Sequence, residues 1–368
     1  MSRPPVAWVL NLDAEEELAA RGAFTPSRAL SRIVTRERVR LVGSLVQPDD
    51  LVLERDASGR PRARLARSLA MSASGAGLAD ENANENADGW SRAHELAESG
   101  ELRGLAWSPT PSARALLASF GFELAGSPNP GASGALVEPG VLRQVNARPF
   151  TAALLARLDG PSLSKHVASS LDEALSHLAR PCTNGWLVRR SFGAAGRGRR
   201  RIASGAPDAG ELAWLRAGLR TGPLVLEPWV HVTREYTRSG YVTSAGHVEI
   251  AAPCFQATTR EGAWLGTEGA HPDEVSRADD ERLAHTAAEV GAALAAAGYA
   301  GPFGIDAFRH RRLDGAGDVL HPLSEINARF TMDWTVGMAR AGDALGELPA
   351  ARTRILAEPA SASRERSD

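Results

Sequence analysis

The chain has 368 residues, 43% of them hydrophobic, and a formal net charge of −2. That is ample for a packed core in two or three domains, and it excludes a global electrostatic pull toward nucleic acid or an anionic membrane. The two cysteines, Cys182 and Cys254, have no CxxC spacing, no apolar run reaches membrane-spanning length, and the N-terminus lacks a signal peptide's apolar stretch, so a soluble, cytoplasmic protein without a disulfide framework or zinc site is expected.

Residues 6–12 read as a strand, and a polar, Arg-rich region follows. Residues 72–89 (SASGAGLADENANENADG) are small, acidic and Asn-rich without an apolar period; a disordered loop is expected. Residues 102–122 read as strand, turn and helix, with Pro111 at the helix start. Residues 125–134 (AGSPNPGASG) are a linker by composition. The first domain, 1–135, is therefore expected to be α/β.

A second unit, 136–220, opens with LRQVNARPFTAALLARL, where Asn146 suits an N-cap and Pro149 a first turn. Lys165, the chain's only lysine, lies just beyond, so chemistry usually done by lysine falls largely to arginine. SLDEALSHLA is a helix with Ser170 or Asp172 near its start. WLVRR and RRRIA read as strands joined by the Gly-rich SFGAAGRG, a hairpin with a flexible tip.

The third unit, 221–345, opens with the apolar strand GPLVLEPWV. REYTRSGYVT and HVEIAAPCFQATT form a strand–turn–strand. DDERLAHTAAEVGAALAAAG is a helix, acidic at its start, apolar at Leu283, Ala287, Val290 and Leu294, and closed by Gly298. FGIDAFRH and VLHPLSEINARF flank a turn, and the tail, 346–368, is expected to be disordered. No internal repeat is present.

In SEINARF the alternate residues Glu325, Asn327 and Arg329 are polar, while Ile326 and Ala328 are apolar. If the turn LDGAGD closes symmetrically between Gly315 and Ala316, Asp306 faces Glu325 across the hairpin, with Asn327 further along the same face. Two opposed carboxylates repel, so a positive partner is expected between them. Two carboxylates and an amide oxygen are hard ligands that suit Mg²⁺, whose natural companion is a nucleotide. Arg329 could hold a phosphate or carboxylate bidentately. The plainer reading leaves Glu325 and Asn327 at a strand end, with Arg329 paired to Glu325 at the surface.

GIDAFRH followed by LHPLSEINARF resembles the closing segment of the ATP-grasp superfamily. The resemblance extends over roughly 140–340, through WLVRRSFGAAGRGRRRI, LVLEPWV, REYT and NARPF in family order. It implies an α/β N-terminal domain plus an ATP-grasp fold, two α+β lobes clamping a nucleotide. It implies ATP and Mg²⁺, with Asp306, Glu325 and Asn327 as metal ligands. The nucleotide would be held by Arg148, Arg189, Ser191 and the loop residues Gly193, Ala194, Ala195 and Gly196. Glu227, Trp229 and Val230 would meet the base, and Glu235 the ribose. Arg329 would act at the reacting end. The family usually has lysine where this chain has Arg189, and the exchange is not conservative.

The implied activity is an ATP-dependent ligase that activates a substrate carboxylate as an acyl phosphate for attack by an amine, or less favourably a thiol. A non-catalytic ATP-binding protein, a kinase on the same fold and an interaction protein with an acidic hairpin are the alternatives. Expected partners are ATP and a small carboxylate or peptide with an amine acceptor, with no nucleic acid or membrane; a homodimer is left open. The histidines show no ligand-like spacing; His321 could line the site, with a surface or satisfied core residue the simpler reading. Trp264 in REGAWLGTEG could face an acceptor pocket, with core packing the simpler reading.

Overall fold

The computed structural model describes residues 5–20, 24–56, 58–73, 103–122, 137–193, 196–259, 264–271 and 273–338. Most of the expected loop 72–89, the linker 125–134 and the tail 346–368 lie outside the described residues. Positions 72 and 73 belong to a helix.

The first unit contains β1 (Val6–Val9), α1 (Ala14–Ala19), α2 (Arg28–Val39), β2 (Leu51–Arg55), β3 (Pro61–Leu65), α3 (Ala66–Ala73), β4 (Arg103–Ala106) and α4 (Pro111–Ala118). Its sheet runs β3-β2-β1-β4, with β1 parallel to β2 and β4 and with β3 turned back antiparallel. β1 is buried on both faces, as a central parallel strand must be. Ala7 and Val9 pack with Leu116, Leu117 and Phe120 on one side; Val6 and Trp8 pack with Phe330 and Trp334 of the last unit on the other. The first and last units thus share a core. The sequence pattern showed only a polar stretch where α2, β2, β3 and α3 lie, because α2 fully buries one side chain, Val34, and its apolar stripe is thin.

Next come α5 (Pro139–Asn146), α6 (Arg148–Leu155), β5 (His166–Ala168), α7 (Leu171–Leu178), β6 (Trp186–Arg189), β7 (Arg199–Ile202), α8 (Ala209–Leu219) and β8 (Leu224–Pro228). Their antiparallel sheet runs β5-β8-β6-β7. Ser170 caps α7 by accepting from Glu173 N–H, and Asp208 with Glu211 forms a capping box on α8. Asn146 does not cap a helix. It ends α5, where its amide is buried, donates to Leu142 O (2.9 Å) and accepts from Ala328 N–H (2.9 Å). Satisfying the backbone beyond the SEINARF strand takes precedence there over capping.

The last unit contains β9 (Val232–Val242), β10 (Val248–Ile250), β11 (Cys254–Thr258), β12 (Trp264–Gly269), α9 (Arg277–Ala296), β13 (Gly301–Arg311), β14 (Asp318–Asn327) and α10 (Trp334–Gly337). The sheet order is β12-β11-β9-β13-β14, with β10 also paired to β9. β10 and β11 lie along one edge of β9, interrupted at 251–253. α9 buries Ala287, Val290 and Leu294 against Phe303, Ile305 and Ile326, and Leu142, Leu154 and Leu155 from α5 and α6 join that core. Gly298 (φ 85°) closes α9.

Gly240 on β9 faces Phe303 on β13, and a Cβ there would come within 2.3 Å of Phe303 Cζ. Gly240→Ala is expected to cost about 1–3 kcal/mol by overpacking a fully buried ring, read as a lowered denaturant midpoint.

The β13–β14 register holds a correction. Near the tip, Arg311 pairs with Asp318 and Phe308 with His321, so the turn centres between Asp314 and Gly315, one residue earlier than expected. A bulge then places residues 322–324 opposite Ala307, and beyond it Asp306 faces Glu325 after all. Pro322 lies in that bulge on the edge strand, where its missing N–H is tolerated. The expected pair forms, but the bulge creates it, not a symmetric turn.

Candidate active site

A cleft of about 1050 Å³ lies between the β5–β8 sheet and the β9–β14 sheet, with the first unit along one side. The hairpin supplies its acidic floor. Asn327 Nδ2 donates to Asp306 Oδ2 (3.1 Å), and Asn327 Oδ1 accepts from Arg329 (2.9 Å). Desolvation, then Glu325 and Asp333, push the Asp306 carboxyl up to about 8. That excess of negative charge is what a cation would relieve. Two carboxylates and an amide oxygen fit Mg²⁺ in kind. Among the described residues no three or more His, Cys, Asp or Glu side chains form a metal-holding group.

Arginines approach from the opposite wall. Arg148, the first residue of α6, donates to Arg190 O (2.8 Å) and Gly193 O (2.5 Å), which holds the start of the Gly-rich loop, and to Glu325 Oε1 (2.8 Å). Arg189, the last residue of β6, pairs with Glu227 (3.0 Å) and Glu325 (3.4 Å) and reaches Ser324 Oγ (3.3 Å). Glu325 is therefore shared by two guanidiniums, and Arg329 is not its partner. Arg329 instead pairs with Glu15 of α1 and lies over the Trp107 ring. Glu15, Glu227 and Glu325 each face a guanidinium, whereas the Asp306 carboxyl has only the Asn327 amide.

Two sheets facing across a cleft, paired carboxylates on one and a Gly-rich turn on the other, match the architecture that the ATP-grasp resemblance implies.

Other expected residues divide. Gly193, Gly196, Trp229, Val230 and Glu235 line the cleft. Gly193 (φ 154°) has no room for a side chain, since a Cβ would stand 2.5 Å from Arg197 O. Val230 clusters with Leu163 and Phe308 as an apolar patch, and Glu235 accepts from Thr258 Oγ1 (2.5 Å). Ala194 and Ala195 lie outside the described residues. Ser191 is a correction: it is buried, is not a lining residue, and its hydroxyl donates to Pro223 O (2.6 Å), so it is spent on the backbone and not offered to a phosphate. Trp264 is another: it lines the cleft beneath Arg40 instead of filling a core. His321 is fully buried, accepts from Leu163 N–H through Nδ1 (3.2 Å), and is pulled down to about 3 by desolvation and Lys165. Cys182 and Cys254 are free, and burial pushes the Cys254 thiol up to about 12.

Sequence reasoning assigned no role to Lys165, Glu15 or Asp333. Lys165 Nζ donates to Ser324 O (2.5 Å) and pairs with Glu227 (3.5 Å), tying the two lobes together. Its status as the sole lysine was the only signal. Asp333 accepts from Thr237 Oγ1 (2.6 Å) behind Asp306.

Burial works to raise the Glu227 carboxyl, yet Lys165 and Arg189 hold it down at about 2, against an ordinary 4.5. A depressed carboxyl stabilises the fold above the ordinary value, and that stability is lost as pH falls toward 2. The stability gap between wild type and Glu227→Gln is therefore expected to shrink between pH 4.5 and 2, by an amount on the order of 3 kcal/mol. Urea unfolding at a series of pH values measures it; a gap constant with pH would refute the pairing.

No family model matches the chain, and no curated protein matches it in sequence. Among solved structures it is similar to Rhizobium etli pyruvate carboxylase: 17% identity, TM-score 0.47, 68% of this chain and 21% of that one. It is similar to Campylobacter jejuni biotin carboxylase: 16% identity, TM-score 0.48, 66% of this chain and 52% of that one. N5-carboxyaminoimidazole ribonucleotide synthetase from Thermus thermophilus gives 17% identity and TM-score 0.43, with 66% of this chain and 71% of that one. The chain thus spans about a fifth of the first and half of the second. No helix among the described residues is long and apolar enough to cross a membrane.

Proposed function

We propose that the protein is an ATP-dependent ligase that activates a substrate carboxylate as an acyl phosphate for attack by an amine, with a thiol as the less favoured nucleophile. The carrying observation is the opposition of Asp306, Glu325 and Asn327 to Arg148 and Arg189 across one cleft. Asp306, Glu325 and Asn327 would hold magnesium, which when bound screens the charge of the phosphates. Arg148 and Arg189 would hold the phosphates, exchanging Glu325 for them. Gly193 and Gly196 allow close backbone approach. Trp229, Val230 and Glu227 would border the base and Glu235 the ribose.

The substrate carboxylate oxygen attacks the terminal phosphorus and ADP leaves. The amine nitrogen then attacks the acyl carbon, phosphate leaves and the amine gives up a proton. Arg329 would steady the acyl-phosphate oxygens. The protein's own contribution is positioning and charge neutralisation.

The test mixes purified protein, Mg-ATP and a metabolite extract and identifies products by mass spectrometry. ADP, phosphate and a new amide or thioester are expected. A phosphorylated metabolite would mark a kinase, and absence of nucleotide binding would refute the site. A second reading, non-catalytic ATP binding, is favoured by one observation: Arg189 is committed to two carboxylates. It predicts bound ATP without ADP release for any acceptor.

A further inference from the structure

Helix α1 turns two carboxylates onto donors that the proposed nucleotide site needs. Glu15, in its first turn, borders the cleft, is 6% exposed and pairs with Arg329. Burial works to raise the Glu15 carboxyl, yet Arg329, Arg148 and the Gly193 N–H hold it below the ordinary 4.5. The next residue, Glu16, pairs with Arg197 at 2.7 Å, and Arg197 lines the cleft.

Each of these donors has another anion to hold in the ligase reading. Arg148 and the Gly-rich turn would meet the nucleotide phosphates there, and Arg329 the acyl-phosphate oxygens. Glu15 draws on all of them at once. Two guanidiniums and a backbone N–H around one anion are the donor set of a bound phosphoryl group. The two anions cannot share it, because like charges in one desolvated pocket repel strongly. The helix itself is anchored elsewhere. Glu17 Oε1 accepts from the Ser112 N–H of α4 (2.9 Å), and Leu18 packs with Leu142 and Val145 of α5. So α1 can stay docked while the Glu15 and Glu16 side chains let go.

We propose that α1 is a built-in inhibitor: Glu15, supported by Glu16, occupies the anion site at the reacting end, and the terminal phosphoryl group of the nucleotide must displace it to reach Arg329, Arg148 and Gly193. The inference rests on the ligase reading and adds a device that regulates the same site. An occupant of this kind lowers apparent affinity by the fraction of chains in which the site is clear.

The test uses the full chain with Mg²⁺ and compares ADP with a non-hydrolysable ATP analogue by calorimetry, in wild type, Glu15→Gln and Glu16→Gln. Glutamine keeps the shape of the side chain and removes its charge. Glu15→Gln is expected to tighten the ATP analogue about tenfold and ADP by less than about threefold, since ADP lacks the terminal phosphoryl group. Glu16→Gln, on a half-buried pair, is expected to tighten the analogue about threefold. A structural tie between Glu15 and Arg329 predicts the opposite sign, equal or weaker binding of both nucleotides in Glu15→Gln. That result, or equal tightening of the analogue and ADP, would overturn the proposal. If Glu15→Gln fails to fold, Glu16→Gln decides: tighter binding of the analogue supports the inhibitor and unchanged binding overturns it. No nucleotide binding to any variant would refute the ligase reading and the inhibitor together, whereas wild-type binding that neither substitution tightens refutes the inhibitor alone.

Discussion

Glu325→Gln is expected to lower magnesium-dependent ATP turnover by about a hundredfold or more, because on the proposed reading it removes a metal ligand that acts on charge developing in the reaction. The structure adds an opposite effect. Glu325 holds Arg148 at 2.8 Å and Arg189 at 3.4 Å, so the amide would leave both guanidiniums under-compensated. Metal-free ATP should then bind more tightly than to wild type, since the phosphates no longer displace a carboxylate from those arginines. ADP release with Mg²⁺ and calorimetry with a chelator measure the two arms. Turnover equal to wild type would remove Glu325 from the metal site. Weaker metal-free binding would show that the arginines do not meet the phosphates.

Arg189→Lys is expected to lose stability by about 2–4 kcal/mol and to weaken ATP binding about tenfold. Lysine is the residue that the ATP-grasp resemblance leads one to expect, so the substitution reads as a restoration. The contacts say otherwise. The guanidinium reaches Glu227 through Nε, Glu325 through one terminal nitrogen and Ser324 through the other. A single ammonium cannot span all three, and a buried carboxylate would lose a partner. Lys165 is already on Glu227, which makes a second lysine there redundant. Denaturant unfolding and nucleotide titration check both numbers. A gain in turnover would instead mean that Arg189 marks weakened catalysis.

The residues that carried local periodicity were the legible ones. The hairpin strands, α9 and the β6–β7 pair each show a pattern that their own burial imposes, so their existence could be read directly. The pairing of Asp306 with Glu325 was legible, but its cause, a bulge at 322–324, was not, because a proline in an edge strand does not announce how many residues it displaces. The Arg-rich segment after residue 12 hid three helices and two strands; α2 buries only Val34, and the apolar run Leu51–Leu53 of β2 is too short to stand out among the charges around it. Ser191 looked like a phosphate donor from its place in a Gly-rich loop; only the approach of Pro223 O shows its hydroxyl spent. Glu15 and Lys165 could not be found locally at all. One stands in the first turn of a short helix and the other just before a three-residue strand, and tertiary packing alone brings Glu15 to the cleft and Lys165 to Glu227.

The pair of Arg329 with Glu15 joins positions separated by 314 residues. Beside it Phe330 packs edge-on against Trp8, with ring centroids 5.4 Å apart. Contacts of such long sequence separation carry the greatest loop-closure cost, which local hairpins and helices avoid. The order of assembly follows from this. The hairpin carboxylates and the Gly-rich turn rest on local contacts and can form early, whereas Arg329 is fixed only when the first unit docks on the last. On the proposed ligase reading, a partly folded chain would bind nucleotide before its site for the reaction was complete.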